Sequence, residues 1–429
     1  MIASLMALSV RMRWAVVLSF LAVAGIGLWQ LTRLPIDAVP DITNKQVQIN
    51  TVDPGLSPVE MEKLVTYPIE TALAGIPGLE TTRSLSRNGF SQVTAIFSDS
   101  TDLYFARQQV GERLTQARDR LPEGVQPQIG PVTTGLGEVV MYTVGYANPD
   151  GKGARRVAGQ PGWQPDGSYL TPEGQILSDE VAKAGYLRTV QDWIIAPQLK
   201  SVPGVAGVDS IGGYAKTFVV EPDPIKLTGF GISYSELAKA LEAANLAVGA
   251  NYFNRGGEAY LVRADARIRS VDEIRNAVVA TRGGVPITVG QIANVRIGGD
   301  LRTGAASMNG REAVVGTALM LIGENSRTVA EGVGAKLDQV AKTLPPGVKV
   351  EVVLDRAKLV NATVATVERN LTEGAILVAA ALFLLLGNWR AAIIAVLVIP
   401  FSFLMMATGM NIVGVPGNLM SLGALDFGL

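Results

Sequence analysis

The chain has 429 residues, 48% of them hydrophobic and 17% charged, and its 37 Lys and Arg against 38 Asp and Glu give a net charge of −1. Nucleic-acid binding needs a basic face, which this balance does not offer, so no nucleic-acid partner is expected. Because the sequence contains no Cys and no His, disulfides, thiolate or imidazole metal sites and His-based catalysis are excluded, and no resident cofactor is expected.

The first predicted element is a membrane helix. Arg11 and Arg13 precede an uncharged run of 19 residues, Trp14–Thr32, which is long enough to span a bilayer. Basic residues on the N-terminal flank place that end in the cytoplasm. Ala22-Val23-Ala24 also fits a signal-peptide cleavage site. The apolar run continues past that site, which favours an uncleaved anchor, so residues 1–33 are predicted to be the N-terminal helix and first span.

Residues 34–130 predict a compact α+β unit on the far side of the membrane. Ser57-Pro58-Val59-Glu60 forms a capping box with Pro at the first helical position. Asn88-Gly89 joins two strand patterns as a hairpin, and apolar residues follow Asp102 at three- and four-residue spacing. The resulting order, β-α-β-β-α-β, is typical of ferredoxin-like units.

The same order then recurs in two pieces. Residues 131–212 predict a first half and residues 299–355 a second half of another β-α-β-β-α-β unit. Between them, residues 213–298 predict an inserted α+β subdomain with capping boxes at Ser233-x-x-Glu236 and Ser270-x-x-Glu273.

Local patterns within these halves predict further details. Residues 147–178 are rich in Gly, Pro and Ser and predict a long loop. A helix is predicted over residues 187–199. Thr328-Val329-Ala330-Glu331 predicts the capping box of another helix.

Residues 356–429 predict a second and a third membrane span and the start of a fourth. Asn388-Trp389-Arg390 forms a tight basic turn with an interfacial Trp, which suits the cytoplasmic side. The apolar run Ala391–Met410 returns across the membrane, and Asn411–Gly417 predicts the turn on the outer side.

After Arg390 the chain has a single charged residue, Asp426. A carboxylate in an apolar stretch is costly to keep ionised, which favours a functional role; the alternatives are a position near the membrane surface or in a packed soluble core with a partner. In a helix that begins near Asn418, Asp426 would lie about 12 Å deep. The segment from Asn418 to Leu429 is shorter than the roughly 20 residues of a span, so the chain is expected to be part of a longer protein.

Several motifs together resemble one transporter family. They are Leu34-Pro35-Ile36-Asp37-Ala38-Val39-Pro40-Asp41-Ile42-Thr43-Asn44, Ser84-Leu85-Ser86-Arg87, Gly135-Leu136-Gly137-Glu138, Gln191-Asp192-Trp193, Val202-Pro203-Gly204-Val205 and Asn418-Leu419-Met420-Ser421-Leu422-Gly423-Ala424-Leu425-Asp426-Phe427-Gly428. The chain resembles the heavy-metal efflux branch of the resistance–nodulation–division (RND) transporters, with cobalt–zinc–cadmium pumps as the nearest type. The resemblance covers the whole chain and implies an α+β membrane protein: transmembrane helices, two ferredoxin-like porter subdomains and an inserted docking subdomain.

The resemblance also implies a function. The chain would be the N-terminal part of a secondary active transporter, a metal–proton antiporter and not an enzyme, which exports divalent heavy-metal cations from the bacterial inner membrane. It would act as a homotrimer with a periplasmic adaptor (membrane fusion) protein and an outer-membrane channel. Asp426 would be the first member of a proton relay whose other members follow Leu429, so the chain alone is expected not to transport.

Two acidic residues in matching motifs are candidate metal ligands, as the resemblance implies. They are Glu138, after Gly135-Leu136-Gly137, and Asp192, within Gln191-Asp192-Trp193. Carboxylates suit hard or borderline divalent ions, whereas zinc normally also takes nitrogen or sulfur. The alternatives are a solvated carboxylate or turn contact for Glu138 and an exposed helix position for Asp192.

Three other functions stay open. RND efflux of organic compounds would need an aromatic cleft, but only 6% of the residues are aromatic. Efflux of Cu(I) or Ag(I) would use soft thioethers, although Met405, Met406, Met410 and Met420 also serve as gap fillers. The third alternative is a non-transporting, membrane-anchored periplasmic assembly protein.

Overall fold

The computed structural model describes residues 11–32, 34, 36–37, 40–265, 267–299, 302, 304–418, 420–421 and 424. Its first element, α1 (Arg13–Leu31), has a mean hydropathy of 1.9 and leaves most of its apolar side chains exposed. This is the surface expected of a helix whose surroundings are lipid.

The next part of the chain folds into an antiparallel sheet covered on one face by two helices. Its elements are β1 (Lys45–Val52), α2 (Pro58–Met61, Glu62–Thr66 and Tyr67–Leu73 in succession), β2 (Leu79–Arg87), β3 (Phe90–Phe97), α3 (Leu103–Ala117) and β4 (Gln128–Ile129). The strand order is β2-β3-β1-β4, with Ile49 opposite Val93. Alternate strand residues such as these are fully buried against Val65 and Val110 of the helices.

Local signals set the ends of these elements. Ser57 and Glu60 form the predicted capping box at the start of α2. Gly89 has a φ of +64°, and a Cβ there would lie 2.9 Å from the Cα of Pro54, so the β2–β3 hairpin needs glycine. The hairpin therefore lies where the Asn-Gly pair predicts it.

The second α+β unit begins with β5 and contains an unpredicted small sheet. Its elements are β5 (Glu138–Tyr146), β6 (Gly162–Trp163), β7 (Tyr169–Leu170), β8 (Ile176–Leu177), α4 (Glu180–Val190, Gln191–Ile195 and Ala196–Leu199 in succession) and β9 (Val205–Ile211). The predicted long loop over 147–178 thus contains three two-residue strands that the prediction missed. Trp163 and Tyr169 pack edge-on at 5.7 Å and both contact Tyr146, which anchors the short strands.

Helix α4 starts earlier than residue 187, because Asp179 accepts a hydrogen bond from the N–H of Ala182 and caps it. Both α2 and α4 contain a π-helical segment that ends just before an X-Pro pair, Tyr67-Pro68 and Ala196-Pro197. Proline lacks an N–H and crowds the carbonyl four residues earlier, which a local π-turn relieves. The same device recurs in the two units.

Residues 216–299 form the inserted part, with its own apolar core. Its elements are β10 (Lys216–Pro222), α5 (Pro224–Phe230), α6 (Tyr234–Ala244), β11 (Ala247–Arg255), β12 (Glu258–Asp265), α7 (Val271–Asn276), β13 (Val278–Arg282), β14 (Val285–Thr288), α8 (Val289–Ile292) and β15 (Ala293–Gly299). The strands pair as β10-β15, β11-β12 and β13-β14. Ser233 and Glu236 form the predicted capping box; Ser270 caps α7, but Glu273 accepts from the N–H of Arg269.

The chain then returns to the β5 sheet. The elements are β16 (Ala306–Met308), β17 (Arg311–Met320), α9 (Ser326–Ala341) and β18 (Val348–Asp355). The sheet has the order β16-β17-β5-β18, and β9 also pairs with β17. The predicted capping box at Thr328 is wrong, because the carboxamide of Asn325 accepts from Arg327 and Thr328 and starts α9 earlier.

Two further apolar helices follow β18: α10 (Arg356–Leu386) and α11 (Trp389–Val413). Together with α1 they are the three described helices long and apolar enough to cross a membrane. α10 follows β18 with no residue between them. α11 extends beyond the predicted run at both ends, since Asn388 caps its start and Gly414, at a φ of +76°, ends it.

α1 packs against α11. The rings of Phe20 and Phe401 stack with centroids 4.1 Å apart. A Cβ on Gly27 would lie 2.7 Å from Cβ of Leu404, so glycine permits the close approach. Near the C-terminal ends of both helices, Asn411 donates a hydrogen bond to the side-chain carbonyl of Gln30.

Candidate functional site

Glu138 lies at the first position of β5, where a tight turn presents it. The N–H of Gly137 donates to the carbonyl of Thr134 at 3.0 Å, and the N–H of Met320 donates to the carbonyl of Gly137 at 2.7 Å. A Cβ on Gly137 would overlap the hydroxyl of Thr133, so a larger residue there would displace the Thr133 side chain. The Glu138 side chain is exposed and makes no hydrogen bond or ion pair with any residue that the structure describes. Its carboxylate is available to a cation.

Asp192 lies in the π-helical segment of α4 and is already engaged. Its Oδ2 accepts from Nε of Arg188 at 2.7 Å, and Arg188 also donates from Nη1 to the carbonyl of Gly212 at 3.0 Å. The two charged side chains are 25% and 33% exposed. A cation at Asp192 would have to compete with this guanidinium.

The structure does not assemble a metal centre around either carboxylate. Within the described ranges, no three Asp, Glu, His or Cys side chains come close enough together to hold an ion. Since divalent ions take several ligands, Glu138 and Asp192 would need donors from beyond these residues.

Asp426 lies outside the described residues, but the start of its segment is described. The carboxamide oxygen of Asn418 accepts from the N–H groups of Met420 and Ser421 at 3.0 and 2.9 Å. Asn418 is only 4% exposed. This is the cap geometry of a helix start, and it lies at Asn418, where the sequence predicts that the Asp426 segment begins.

One largely buried ion pair joins parts of the chain that lie far apart in sequence. Arg356, the first residue of α10, donates from Nε and Nη2 to Oδ1 of Asp37 at 3.0 and 2.9 Å. Its Nη1 donates to the carbonyl of Leu136 at 2.6 Å. The sequence carries no local signal for this contact, since the two charged residues are 319 positions apart. The membership of Asp37 in the motif that begins at Leu34 was the one available hint.

A sequence profile of the AcrB/AcrD/AcrF family matches residues 5–429. The chain belongs to the AcrB/AcrD/AcrF family. This RND family consists of inner-membrane transporters, not enzymes. The mixed helix and sheet content and the apolar helices described above are those of the family's fold.

Curated relatives within the AcrB/AcrD/AcrF family are heavy-metal resistance proteins. The chain is 65% identical over 429 residues to the nickel-cobalt-cadmium resistance protein NccA of Alcaligenes xylosoxydans xylosoxydans, covering 100% of this chain and 40% of that protein. Identity, length and coverage are the same for the nickel and cobalt resistance protein CnrA of Cupriavidus metallidurans. The cobalt-zinc-cadmium resistance protein CzcA of C. metallidurans is 49% identical over 421 residues, which are 98% of this chain and 37% of CzcA.

Solved structures agree with this assignment. A crystal structure of a heavy metal efflux pump matches with a TM-score of 0.81 at 34% identity, over 99% of this chain and 39% of that one. A second crystal form gives 0.81 at 33% identity, over 98% and 40%. The resemblance to heavy-metal RND pumps is thus confirmed, and the chain spans about 40% of the length of the curated relatives NccA and CnrA.

Proposed function

We propose that this chain serves as the N-terminal part of a proton-driven pump that exports divalent heavy-metal cations. The observation that carries the proposal is 65% identity across 429 residues to two proteins named for nickel and cobalt resistance. Identity to the protein named for cobalt, zinc and cadmium is lower, at 49%. Nickel and cobalt are therefore the first cargo to test, followed by cadmium and zinc.

In this proposal the three apolar helices span the inner membrane with the N-terminus in the cytoplasm. The β1–β4 unit (34–130) and the β5–β18 unit (131–212 and 299–355) are porter subdomains in the periplasm, and 213–298 is the docking insert. The working pump is a homotrimer joined to a periplasmic adaptor and an outer-membrane channel.

In this proposal one carboxylate transfers protons and another binds the metal. Asp426 loads and releases a proton, because an ionised carboxylate in an apolar segment is costly and its protonation follows changes in its surroundings. Glu138, exposed and without a described partner, binds the metal with donors from outside the described residues. Asp192 is the second candidate ligand, but its ion pair with Arg188 makes its carboxylate the less available of the two.

Metal tolerance tests the proposal. A chimeric transporter is made in which this chain replaces the matching 40% of NccA, and it is produced in a strain without metal efflux. Growth at raised nickel and cobalt is expected, and Asp426→Asn is expected to abolish it at unchanged protein level. Unchanged metal tolerance together with raised tolerance to organic toxicants would contradict the proposal.

A further inference from the structure

The ends of the membrane helices meet the α+β part of the chain, residues 40–355, at one cluster of contacts. We call this α+β part the head. We call this cluster the junction and define it as Asp37, Leu136, Arg356 and Gly417. Arg356 holds Asp37 through two of its nitrogens and the carbonyl of Leu136 through the third. The N–H of Asp37 donates to the carbonyl of Gly417 at 3.0 Å. Four distant stretches of chain therefore meet at Arg356 and Asp37, which is bonded through both its carboxylate and its backbone N–H.

Each residue of the junction lies close in sequence to a membrane helix or to a residue of the proposed transport chemistry. Gly417 immediately precedes Asn418, the cap of the segment that carries Asp426. Leu136 lies two residues before Glu138, in the turn that Gly137 fastens to Met320. Asp37 follows the end of α1 by six residues, and Arg356 is the first residue of α10.

The contacts have the character of a rigid link. The Arg356 and Asp37 side chains are only 10% and 21% exposed. Charge-assisted bonds in such surroundings are stronger than neutral ones and fix direction as well as distance. Removing one partner leaves the other charge poorly solvated. Exposed pairs contribute far less, and Arg369–Glu373 on the same helix α10, 79% and 60% exposed, is of that kind.

We infer that Arg356 is a positioning residue that couples the Asp426 segment to the turn bearing Glu138, through Asp37 on one side and the Leu136 carbonyl on the other. The inference rests on the proposed function. A displacement of the Asp426 segment pulls on Gly417, Asp37 and Arg356 in turn, and so moves the carbonyl next to the metal-binding turn. Arg356 contacts neither proton nor metal.

The transport test uses Arg356→Lys, Arg356→Gln and Asp37→Asn in the chimeric transporter, with Arg369→Gln as the control. Arg356→Gln is expected to lower the turnover of metal transport about tenfold, within the range for a residue that couples sites without touching them. The KM for metal should stay unchanged, because the metal ligands are intact. Arg356→Lys should restore turnover only in part, since an ammonium group cannot bond Asp37 and Leu136 in the same fork geometry.

The double variant Asp37→Asn/Arg356→Gln separates coupling from misfolding. It removes both buried charges, so it is expected to be as slow as either single variant and not slower, while folding at least as well as Arg356→Gln. Full turnover in Arg356→Lys, a slowing by Arg369→Gln equal to that by Arg356→Gln, or a raised KM at normal turnover would each overturn the inference.

A second measurement uses the 429-residue chain itself and does not depend on transport. The chain has no Cys, so two introduced cysteines take spin labels without background. They are Val413→Cys, 77% exposed at the end of α11, and the exposed Glu324→Cys, four residues after the Met320 that bonds the carbonyl of Gly137. A single narrow distance distribution is expected. Arg356→Gln should broaden it and Arg369→Gln should not.

The two measurements fail in different ways. An inactive unmodified chimera would contradict the proposed function, and the spin-label distances would still test the junction. A distance distribution that Arg356→Gln leaves narrow would overturn the inference even if the chimera exports metal.

Discussion

Glu138 and Asp192 are both acidic residues in motifs that resemble those of metal pumps, but their surroundings differ. Glu138 stands exposed at the end of a glycine turn, whereas Asp192 bonds Arg188 at 2.7 Å. Both side chains are carboxylates, so it is their neighbours that decide which of them is available to a cation.

We therefore predict that Glu138→Gln weakens metal recognition and that Asp192→Asn does not. Loss of a ligand should raise the KM for cobalt by about tenfold or more, the range already found for outer-shell partners of metals. Asp192→Asn should mainly cost stability, by about 0–1 kcal/mol for a partly exposed pair. Transport kinetics of the chimera give the KM for cobalt of each variant. A raised KM in Asp192→Asn with an unchanged KM in Glu138→Gln would make Asp192 the ligand.

Asp41 gives a prediction for pH. Burial tends to raise the pKa of Asp41, but hydrogen bonds from Thr134 and Thr43 and the charge of Arg356 together lower it below its ordinary value. A carboxylate with a lowered folded-state pKa stabilises the fold above its unfolded pKa, and this contribution is lost as the pH falls through the folded pKa.

Asp41→Asn should therefore lower the melting temperature at neutral pH but leave it equal to the parent in acid, below the folded pKa. Tryptophan fluorescence during heating at a series of pH values makes the comparison. A difference between the two proteins that persists unchanged into acid would contradict this account.

At the scale of elements, the β5–β17 pair shows how one glycine shapes the sheet. Gly316 on β17 lies directly opposite Tyr142 on β5, and the fully buried tyrosine ring folds over it. A Cβ at Gly316 would overlap that ring. Gly145, also on β5, has open space around its Cβ direction.

Gly316→Ala is accordingly predicted to destabilise the head by about 1–3 kcal/mol, the usual cost of overpacking. Urea unfolding of the chain, followed by tryptophan fluorescence, measures this cost. Gly145→Ala is the matched control and should be close to neutral. Equal losses for the two variants would show that strand glycines matter here for a reason other than the Tyr142 ring.

The contact between α1 and α11 supports another prediction. Gly27→Ala should push the helices apart at Leu404, whereas Gly25→Ala, with nothing near its Cβ, should not. Phe20→Cys and Phe401→Cys provide a disulfide reporter in a chain without other Cys. Gly27→Ala should slow cross-linking about fivefold, equivalent to ~1 kcal/mol; a rate matching that of Gly25→Ala would contradict the packing.

Local chemistry predicted some elements correctly and long-range packing decided the rest. The caps at Ser57 and Ser233 were predictable because a capping box is complete within four residues. Strands β6–β8 were not, because two-residue strands have no periodicity to detect; they form around Trp163 and Tyr169. The Asp37–Arg356 pair joins residues 319 positions apart, so no sequence window contains it.

For the molecule as a whole, the chain carries the α+β head and three apolar helices long enough to cross a membrane among its described residues, and it spans about 40% of the length of NccA and CnrA. We predict that the 429-residue chain by itself does not export metal, because it matches about 40% of the length of its relatives and its described residues hold no metal centre. Reconstituted in vesicles, it should give no cobalt flux above protein-free vesicles. A measurable flux would contradict the proposed division of the machine.

The proposed function depends above all on proton coupling at Asp426. Nickel and cobalt uptake into everted membrane vesicles that contain the chimeric transporter tests it most directly. Uptake is expected to follow an imposed proton gradient, to stop when a protonophore collapses the gradient, and to be absent in Asp426→Asn. Uptake that continues at the same rate without the gradient, or in Asp426→Asn, would contradict it.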